Sequence, residues 1–206
     1  MTTNKFRFAK YPKELVVIGV HSAKFLNEQE TANIREAILR YEIPHPVVND
    51  RDFAIWRAYT VRAWPTLVVI DAEGYVVGAV SGEGHGDLLD QIVSQLAAEA
   101  RAKGVLDESQ LAVALERARV QGGPLSFPGK ILCDEAGGRL FIADSNHNRI
   151  LITGLDGRVL DVAGEGRVGA DDGPFKTARF THPQGLALSD GILYVADTEN
   201  HLIRRL

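Results

Sequence analysis

The sequence predicts an α/β half followed by an all-β half. Seven of the 20 glycines lie before residue 121 and thirteen lie after it. The first half alternates apolar strand-like stretches with stretches of helical periodicity, whereas the second half has short strands separated by turn signals. The second half also repeats itself at a fixed spacing, which is typical of repeat architectures. We therefore expect the chain to change architecture near residue 120.

Composition restricts the class of protein. The 206 residues are 45% hydrophobic and 24% charged, with a net charge of −4. This is typical of a soluble globular protein that is long enough to bury a core. The acidic balance argues against a nucleic-acid binder, no apolar run reaches the roughly 20 residues of a membrane span, and the first residues lack a secretory signal. We expect a cytoplasmic protein that contacts neither nucleic acid nor membrane.

The single cysteine, Cys133, limits the chemistry of the chain. It cannot form an internal disulfide, a Cys-based zinc site or a CxxC redox pair. Because it lies in a predicted strand, we expect its thiol to be buried and inert. We expect no metal site and no cofactor.

The first half opens with a predicted strand at residues 15–20, whose apolar residues indicate cover on both faces. A helix follows, because apolar residues recur at i, i+3, i+4 and i+7. These positions are Ile34, Ala37, Ile38 and Tyr41. Asp52 is then expected to cap a helical turn that carries Phe53 and Trp56.

A hairpin and two helices complete this half. Apolar stretches at residues 64–71 and 75–80 flank turn residues and predict an antiparallel pair. Asp87 opens a helix that Gly104 ends, and Asp107 opens another. The predicted division is a domain at residues 1–104, a helical linker at residues 105–126 and a second domain at residues 127–206.

The second half contains an internal repeat. Its predicted strands lie at residues 130–134, 140–143, 149–153, 159–163, 185–188, 192–196 and 201–206. Residues 140–150 align with residues 193–203, at an offset of 53. Four short strands with a turn between each pair are typical of a propeller blade.

The second copy of the repeat resembles a known family. It reads P-x-G-L-A at residues 183–187 and Y-V-A-D-T-x-N-H-x-I at residues 194–203. This pattern resembles the NHL repeat of β-propellers. The resemblance implies a binding surface without intrinsic catalysis.

The resemblance also assigns the polar residues of the repeat to the turn between two strands. These residues are Asp144, Asn146, His147, Asp197, Asn200 and His201. Short polar side chains bond local backbone groups, so a structural role in the turn is favoured over ligand contact.

The first half resembles the C-terminal part of a thioredoxin-like fold, with Trp64, Pro65 and Thr66 opening the hairpin. That resemblance implies a cis bond before Pro65 and a substrate-binding role for these three residues. The sequence L-V-V-I-G-V-H-S-A-K-F at residues 15–25 resembles the variant found joined to NHL propellers. In that variant a strand and a cysteine-containing turn come first, and they have no counterpart here.

We therefore expect an incomplete thioredoxin-like domain followed by about two NHL-type blades, as a fragment of a larger protein. Two functions remain open. One is a non-catalytic protein-interaction module, which holds a protein partner and can self-associate through open blade edges. The other is a thiol-disulfide oxidoreductase whose CxxC site lies outside this sequence.

Other motifs are weaker. Residues 164–169 match GxGxxG but lack the helix that a dinucleotide site needs. His21 and Ser22 end a strand where small-molecule sites occur, although a polar strand end is the commoner meaning. Asp171 and Asp172 lack a third carboxylate at calcium-binding spacing.

Overall fold

The computed structural model describes residues 10–109, 112–120 and 122–206. The chain divides into two compact units, residues 1–119 and residues 120–206. This division falls inside the stretch that the sequence predicts as a linker. Within the described ranges, no helix is both long and apolar enough to span a membrane.

The described part of the first unit contains two small sheets and three α-helices, with a 3-10 helix at Leu26–Gln29 before the first α-helix. In chain order the elements are β1 (Gly19–His21), α1 (Thr31–Arg40), β2 (Val47–Asn49), α2 (Ala54–Ala58), β3 (Thr66–Ile70), β4 (Val76–Ser81) and α3 (Gly86–Lys103). Strands β1 and β2 pair in parallel, and β3 and β4 pair antiparallel. Helix α3 ends at Gly104, which has the left-handed φ of 71° that glycine adopts without strain.

The predicted hairpin is confirmed, and its turn shows why. The Asp71 carboxylate accepts hydrogen bonds from the backbone N–H groups of Glu73 and Tyr75, at 3.0 and 2.8 Å. Gly74 supplies a φ of 89°. An aspartate that bonds its own backbone and a glycine at positive φ together reverse the chain within a few residues.

The predicted strand at residues 15–20 is wrong in extent. Only Gly19–His21 forms a strand, because its partner β2 is equally short and the ladder ends where pairing ends. The expected cover on both faces is wrong as well, since Val16 and Ile18 are each 55% exposed. The helix after it is confirmed, with Ile34 buried, but Tyr41 lies at its C-terminal end and is exposed.

The helix predicted from Asp107 is also wrong in the described part of that stretch. Residues 107–109 and 112–115 have no regular structure, and only Glu116–Arg119 forms a 3-10 turn. The Asp107 carboxylate instead accepts a hydrogen bond from the Ser109 backbone at 2.8 Å, which closes a local turn. Helices of this length are marginal without tertiary packing. Leu111, one of the residues expected to face inward, lies outside the described residues.

The second unit consists of two antiparallel sheets. The first comprises β5 (Ile131–Asp134), β6 (Arg139–Asp144), β7 (Arg149–Gly154) and β8 (Val159–Ala163), in that order. The second comprises β9 (Pro183–Ser189), β10 (Ile192–Asp197) and β11 (Leu202–Arg205), with β10 in the middle. All seven predicted strands of this half are confirmed, and their ends differ from the prediction by at most two residues.

One apolar core is shared by the two sheets of the second unit. Its buried members are Phe141, Ala143, Ile150, Ile152, Ala163, Ala178, Phe180, Leu186, Leu193 and Val195. Four of them come from the equivalent strands β6 and β10, two from each copy of the repeat. The internal repeat in sequence therefore corresponds to two sheets that pack on each other.

Candidate functional site

The turn before β3 is held from both sides. The Trp64–Pro65 peptide bond is cis, as the thioredoxin-like resemblance implies. The Pro65 carbonyl accepts a hydrogen bond from the Gly82 backbone N–H at 2.9 Å. The Thr66 hydroxyl donates to the Ala63 carbonyl at 2.8 Å. These bonds attach the turn firmly to the β3–β4 hairpin.

The Trp64 side chain projects from this turn and is 52% exposed. Its indole N–H donates to the Ser22 carbonyl at 2.9 Å, which fixes the direction of the ring. The Trp64 and Trp56 rings are 4.4 Å apart between centroids, with a tilt of 36°. Phe53 meets Trp56 edge to face at 5.8 Å. We call Phe53, Trp56 and Trp64 the aromatic cluster.

The buried carboxylate of Asp50 bonds to the backbone of the aromatic cluster at Trp56. Asp50 is only 4% exposed. One of its oxygens accepts a hydrogen bond from the Ile55 backbone at 2.9 Å. The other accepts from the Trp56 backbone at 2.9 Å and from the Ser22 hydroxyl at 2.8 Å.

These bonds decide the ionisation of Asp50. Burial on its own raises the pKa of this carboxyl, but the backbone N–H groups of Trp56 and Ile55 and the Ser22 hydroxyl outweigh it. The pKa of Asp50 is therefore lowered. The first unit thus holds an ionised carboxylate in its interior at neutral pH.

Sequence patterns indicate only part of this candidate site. The residues Trp64, Pro65 and Thr66 follow from the resemblance, but the roles of Asp50 and Ser22 do not. The prediction that Asp52 caps α2 is wrong, because the N–H groups at the start of α2 bond to Asp50 instead. Asp50 and Asp52 precede Phe53 by three residues and by one, and both match the capping pattern.

The first NHL-like turn is built around Asp144, which is fully buried. One carboxylate oxygen accepts a hydrogen bond from the Ser126 backbone at 2.7 Å. The other lies 2.8 Å from His147 Nδ1 and accepts from Arg149 Nε at 2.8 Å. Asn146 donates its backbone N–H to the Ser126 carbonyl at 3.1 Å.

The second NHL-like turn repeats this plan with Asp197, which is also fully buried. Its oxygens accept from the Thr181 backbone at 2.7 Å, Asn200 Nδ2 at 2.8 Å and Arg204 Nη1 at 3.0 Å. His201 takes a left-handed φ of 56° at the end of the turn. Asn200 thus occupies the place that His147 has in the first copy. Both carboxylates are held by donors of their own chain.

The expectation that Cys133 is buried is wrong. The thiol is exposed, because Cys133 lies on β5 at one edge of the first sheet and points to the solvent side. Its neighbour Ile131 is exposed on the same face, whereas Leu132 packs against the core. Strand alternation places residues 131 and 133 together on the outer face.

The remaining motifs do not assemble into sites. Residues 164–169 are followed by turns and irregular chain, not by a helix. Ser22 serves the Asp50 network described above. Across residues 10–109, 112–120 and 122–206, no three His, Cys, Asp or Glu side chains lie close enough together to hold a metal ion.

Comparison with known proteins links both units to described families. Residues 2–76 match the family model described as thioredoxin-like, and residues 180–206 match the NHL repeat. NHL repeat-containing protein 2 of Gallus gallus is 43% identical over 192 residues, which cover 93% of this chain and 26% of the relative. The protein SUPPRESSOR OF QUENCHING 1, chloroplastic, of Arabidopsis thaliana is 46% identical over 196 residues, which cover 92% of this chain and 19% of the relative.

A shorter relative matches part of this chain. The thiol-disulfide oxidoreductase YkuV of Bacillus subtilis is 27% identical over 96 residues, which cover 47% of this chain and 64% of the relative. The chain spans about a quarter or less of the length of the two longer relatives.

Proposed function

We propose that this chain, which joins a thioredoxin-like region to NHL repeats, is a protein-interaction module that does not itself catalyse thiol-disulfide exchange. Its binding site is the turn at Trp64, Pro65 and Thr66 together with the aromatic cluster. The observation that carries the proposal is the half-exposed Trp64 ring, which is held in one direction by its hydrogen bond to Ser22.

Rings of this kind suit recognition of a polypeptide. A tryptophan buries a large area on binding and loses little conformational freedom, which is why tryptophans are frequent at the centres of interfaces. The Trp64 ring is already ordered, so its ordering adds little to the free energy required for binding. We assign to it an extended partner segment that places an apolar side chain on the aromatic cluster.

We also propose that the two sheets of the second unit are blades of a β-propeller. Support comes from the four-stranded antiparallel plan of β5–β8 and from the repeated turns around Asp144 and Asp197. The loops of such a scaffold offer a second surface for a protein partner. We also propose a cytoplasmic setting for this chain.

The non-catalytic part of the proposal rests on thiol chemistry. Disulfide exchange needs one thiolate that attacks and a second thiol that resolves the mixed disulfide. The sequence contains one cysteine, and it lies in the NHL-like unit. Cys133 can therefore enter a mixed disulfide but has no second thiol in the chain to release it.

The alternative is a thiol-disulfide oxidoreductase, which is favoured by the name of the Bacillus subtilis relative. Its CxxC pair would belong to chain outside this sequence. An insulin-reduction assay with dithiothreitol separates the two functions. We expect this chain to leave the rate at its uncatalysed value, and clear turnover by this chain would contradict the proposal.

A selection experiment tests the binding role. A phage library of random peptides is selected against the intact chain, and the affinity of an enriched peptide is measured by calorimetry. We expect Trp64→Ala to weaken the binding of that peptide by about tenfold or more, as at an interface hot spot. Tyr75→Ala removes another exposed aromatic ring of the same unit and serves as the matched control. Equal losses in both variants, or no enriched peptide at all, would refute the binding role.

A further inference from the structure

Asp50 connects three segments that are distant in sequence. It accepts from Ser22, 28 residues earlier, and from Ile55 and Trp56 at the start of α2. The Ser22 carbonyl in turn accepts the indole N–H of Trp64, 42 residues away. Hydrogen bonds to Ser22 and to the Trp56 backbone therefore link the Asp50 carboxylate to both tryptophans.

The path constrains geometry because Asp50 is buried. An ionised carboxylate is stable in the interior only when donors replace the water that it has lost. Each of the three donors must therefore stay in place, and this holds Ser22 and the first residues of α2 at fixed positions. The fixed Ser22 carbonyl restricts the direction of the Trp64 indole. The fixed backbone of Trp56 likewise restricts the position of the Trp56 ring.

We propose that Asp50 is the positioning residue of the binding site: it holds Trp56 and Trp64 in the stacked arrangement that a partner binds, without touching the partner itself. Asp50 is almost inaccessible, so it acts through the groups that bond to it, Ser22, Ile55 and Trp56. The part of this inference that concerns a partner rests on the proposed function. The part that concerns the arrangement of the rings does not.

The stacked pair provides its own spectroscopic signal. The sequence contains only two tryptophans, and they are the stacked pair. Two indoles at this separation couple and give an exciton couplet in circular dichroism, whose amplitude depends on their mutual orientation. The couplet therefore reports the geometry of the site without interference from other tryptophans.

The test compares Asp50→Asn with Asp52→Asn in the intact chain. An asparagine amide nitrogen cannot accept, so Asp50→Asn removes the acceptor for at least one of the three donors. Asp52 is an exposed carboxylate two residues away, and its substitution is the matched control. We expect Asp50→Asn to reduce the amplitude of the couplet at least twofold and to weaken the binding of the selected peptide about tenfold. We expect Asp52→Asn to preserve both.

A second variant keeps the proposal testable if Asp50→Asn does not fold. Ser22→Ala removes the hydroxyl donor to Asp50 but leaves the carbonyl that bonds Trp64. We expect it to fold and to show a smaller but clear loss of the couplet.

An unchanged couplet in folded Asp50→Asn, or in Ser22→Ala if Asp50→Asn does not fold, overturns the positioning role. The same conclusion follows if the couplet falls and peptide affinity does not. A wild-type chain that selects no peptide instead contradicts the proposed function, and the couplet still decides the positioning role.

Discussion

Three buried aspartates share one design at the scale of single residues. Asp50, Asp144 and Asp197 are each at most 4% exposed, and each accepts hydrogen bonds from backbone N–H groups and from side chains. Removing such a carboxylate leaves buried donors unpaired, and each unpaired donor destabilises the fold by about 1–3 kcal/mol. The stability of each NHL-like turn, and of the aromatic cluster, therefore depends strongly on a single aspartate.

Asp197→Ala should destabilise the second unit by at least about 1–3 kcal/mol. The substitution leaves the Thr181 N–H without its acceptor and removes one partner of Arg204. It also removes one of the two acceptors of Asn200 Nδ2, which keeps its bond to the Gly169 carbonyl. Urea unfolding measures the effect. Glu199 is an exposed residue of the same turn, so Glu199→Ala should change the free energy of unfolding by less than about 0.5 kcal/mol. If the two variants are equally stable, the structural role of Asp197 is wrong.

The lowered pKa of Asp50 predicts how the first unit responds to acid. A carboxyl with a lower pKa in the folded state stabilises the fold above its unfolded pKa, near the usual value of about 3.9. That stabilisation is lost as the pH falls through the lower, folded pKa. Tryptophan fluorescence during acid titration should therefore stay constant down to about pH 4 and change below it. A fluorescence transition with a midpoint well above the usual pKa range of aspartate would contradict the lowered pKa of Asp50.

At the scale of secondary-structure elements, the two halves differ in how far the sequence predicts them. In the second half, turn residues separate every strand, so the positions of β5–β11 follow from local chemistry. In the first half, the apolar run at residues 15–20 has the composition of a long strand, but its length depends on a partner strand that is only three residues long. Local patterns do not contain that information.

The candidate site shows the same limit. The turn at residues 64–66 is found because it matches a family pattern. The Asp50 network is missed because its bonds to Ser22 and its link to Trp64 span 28 and 42 residues, and such contacts exist only in the folded chain. The prediction that Cys133 is buried is wrong for a related reason. Strand composition does not tell which face of an edge strand is outward.

The exposed position of Cys133 on edge strand β5 has a direct chemical consequence. Its thiol should react with a disulfide reagent such as Ellman's reagent in the native state, with one equivalent per chain. Addition of denaturant should speed this reaction only modestly. A thiol that reacts only after unfolding would show that β5 has the opposite face outward.

At the scale of the whole molecule, apolar side chains remain exposed along strand β11. Leu202 and Ile203 are 45% and 72% exposed, and in the described part of the chain β11 pairs only with β10. Unpaired strand edges with apolar side chains favour association with another chain. We therefore expect the isolated chain to self-associate as its concentration rises.

Ile203→Lys tests this expectation, since a lysine on an edge strand opposes edge-to-edge pairing. Light scattering over a concentration series should show oligomers for the wild type and a larger share of monomer for the variant. A wild-type chain that stays a monodisperse monomer at high concentration would contradict open edges as the cause of association.

Nuclear magnetic resonance shows whether a peptide binds at the aromatic cluster, because the two tryptophans give two indole N–H signals and both belong to the cluster. The intact, ¹⁵N-labelled chain is titrated with a peptide selected from the random library. We expect both indole signals to shift at the same peptide concentration, together with backbone signals of the turn at residues 64–66. If the peptide binds, both indole signals stay in place and the shifts map elsewhere, the aromatic cluster is not the binding site.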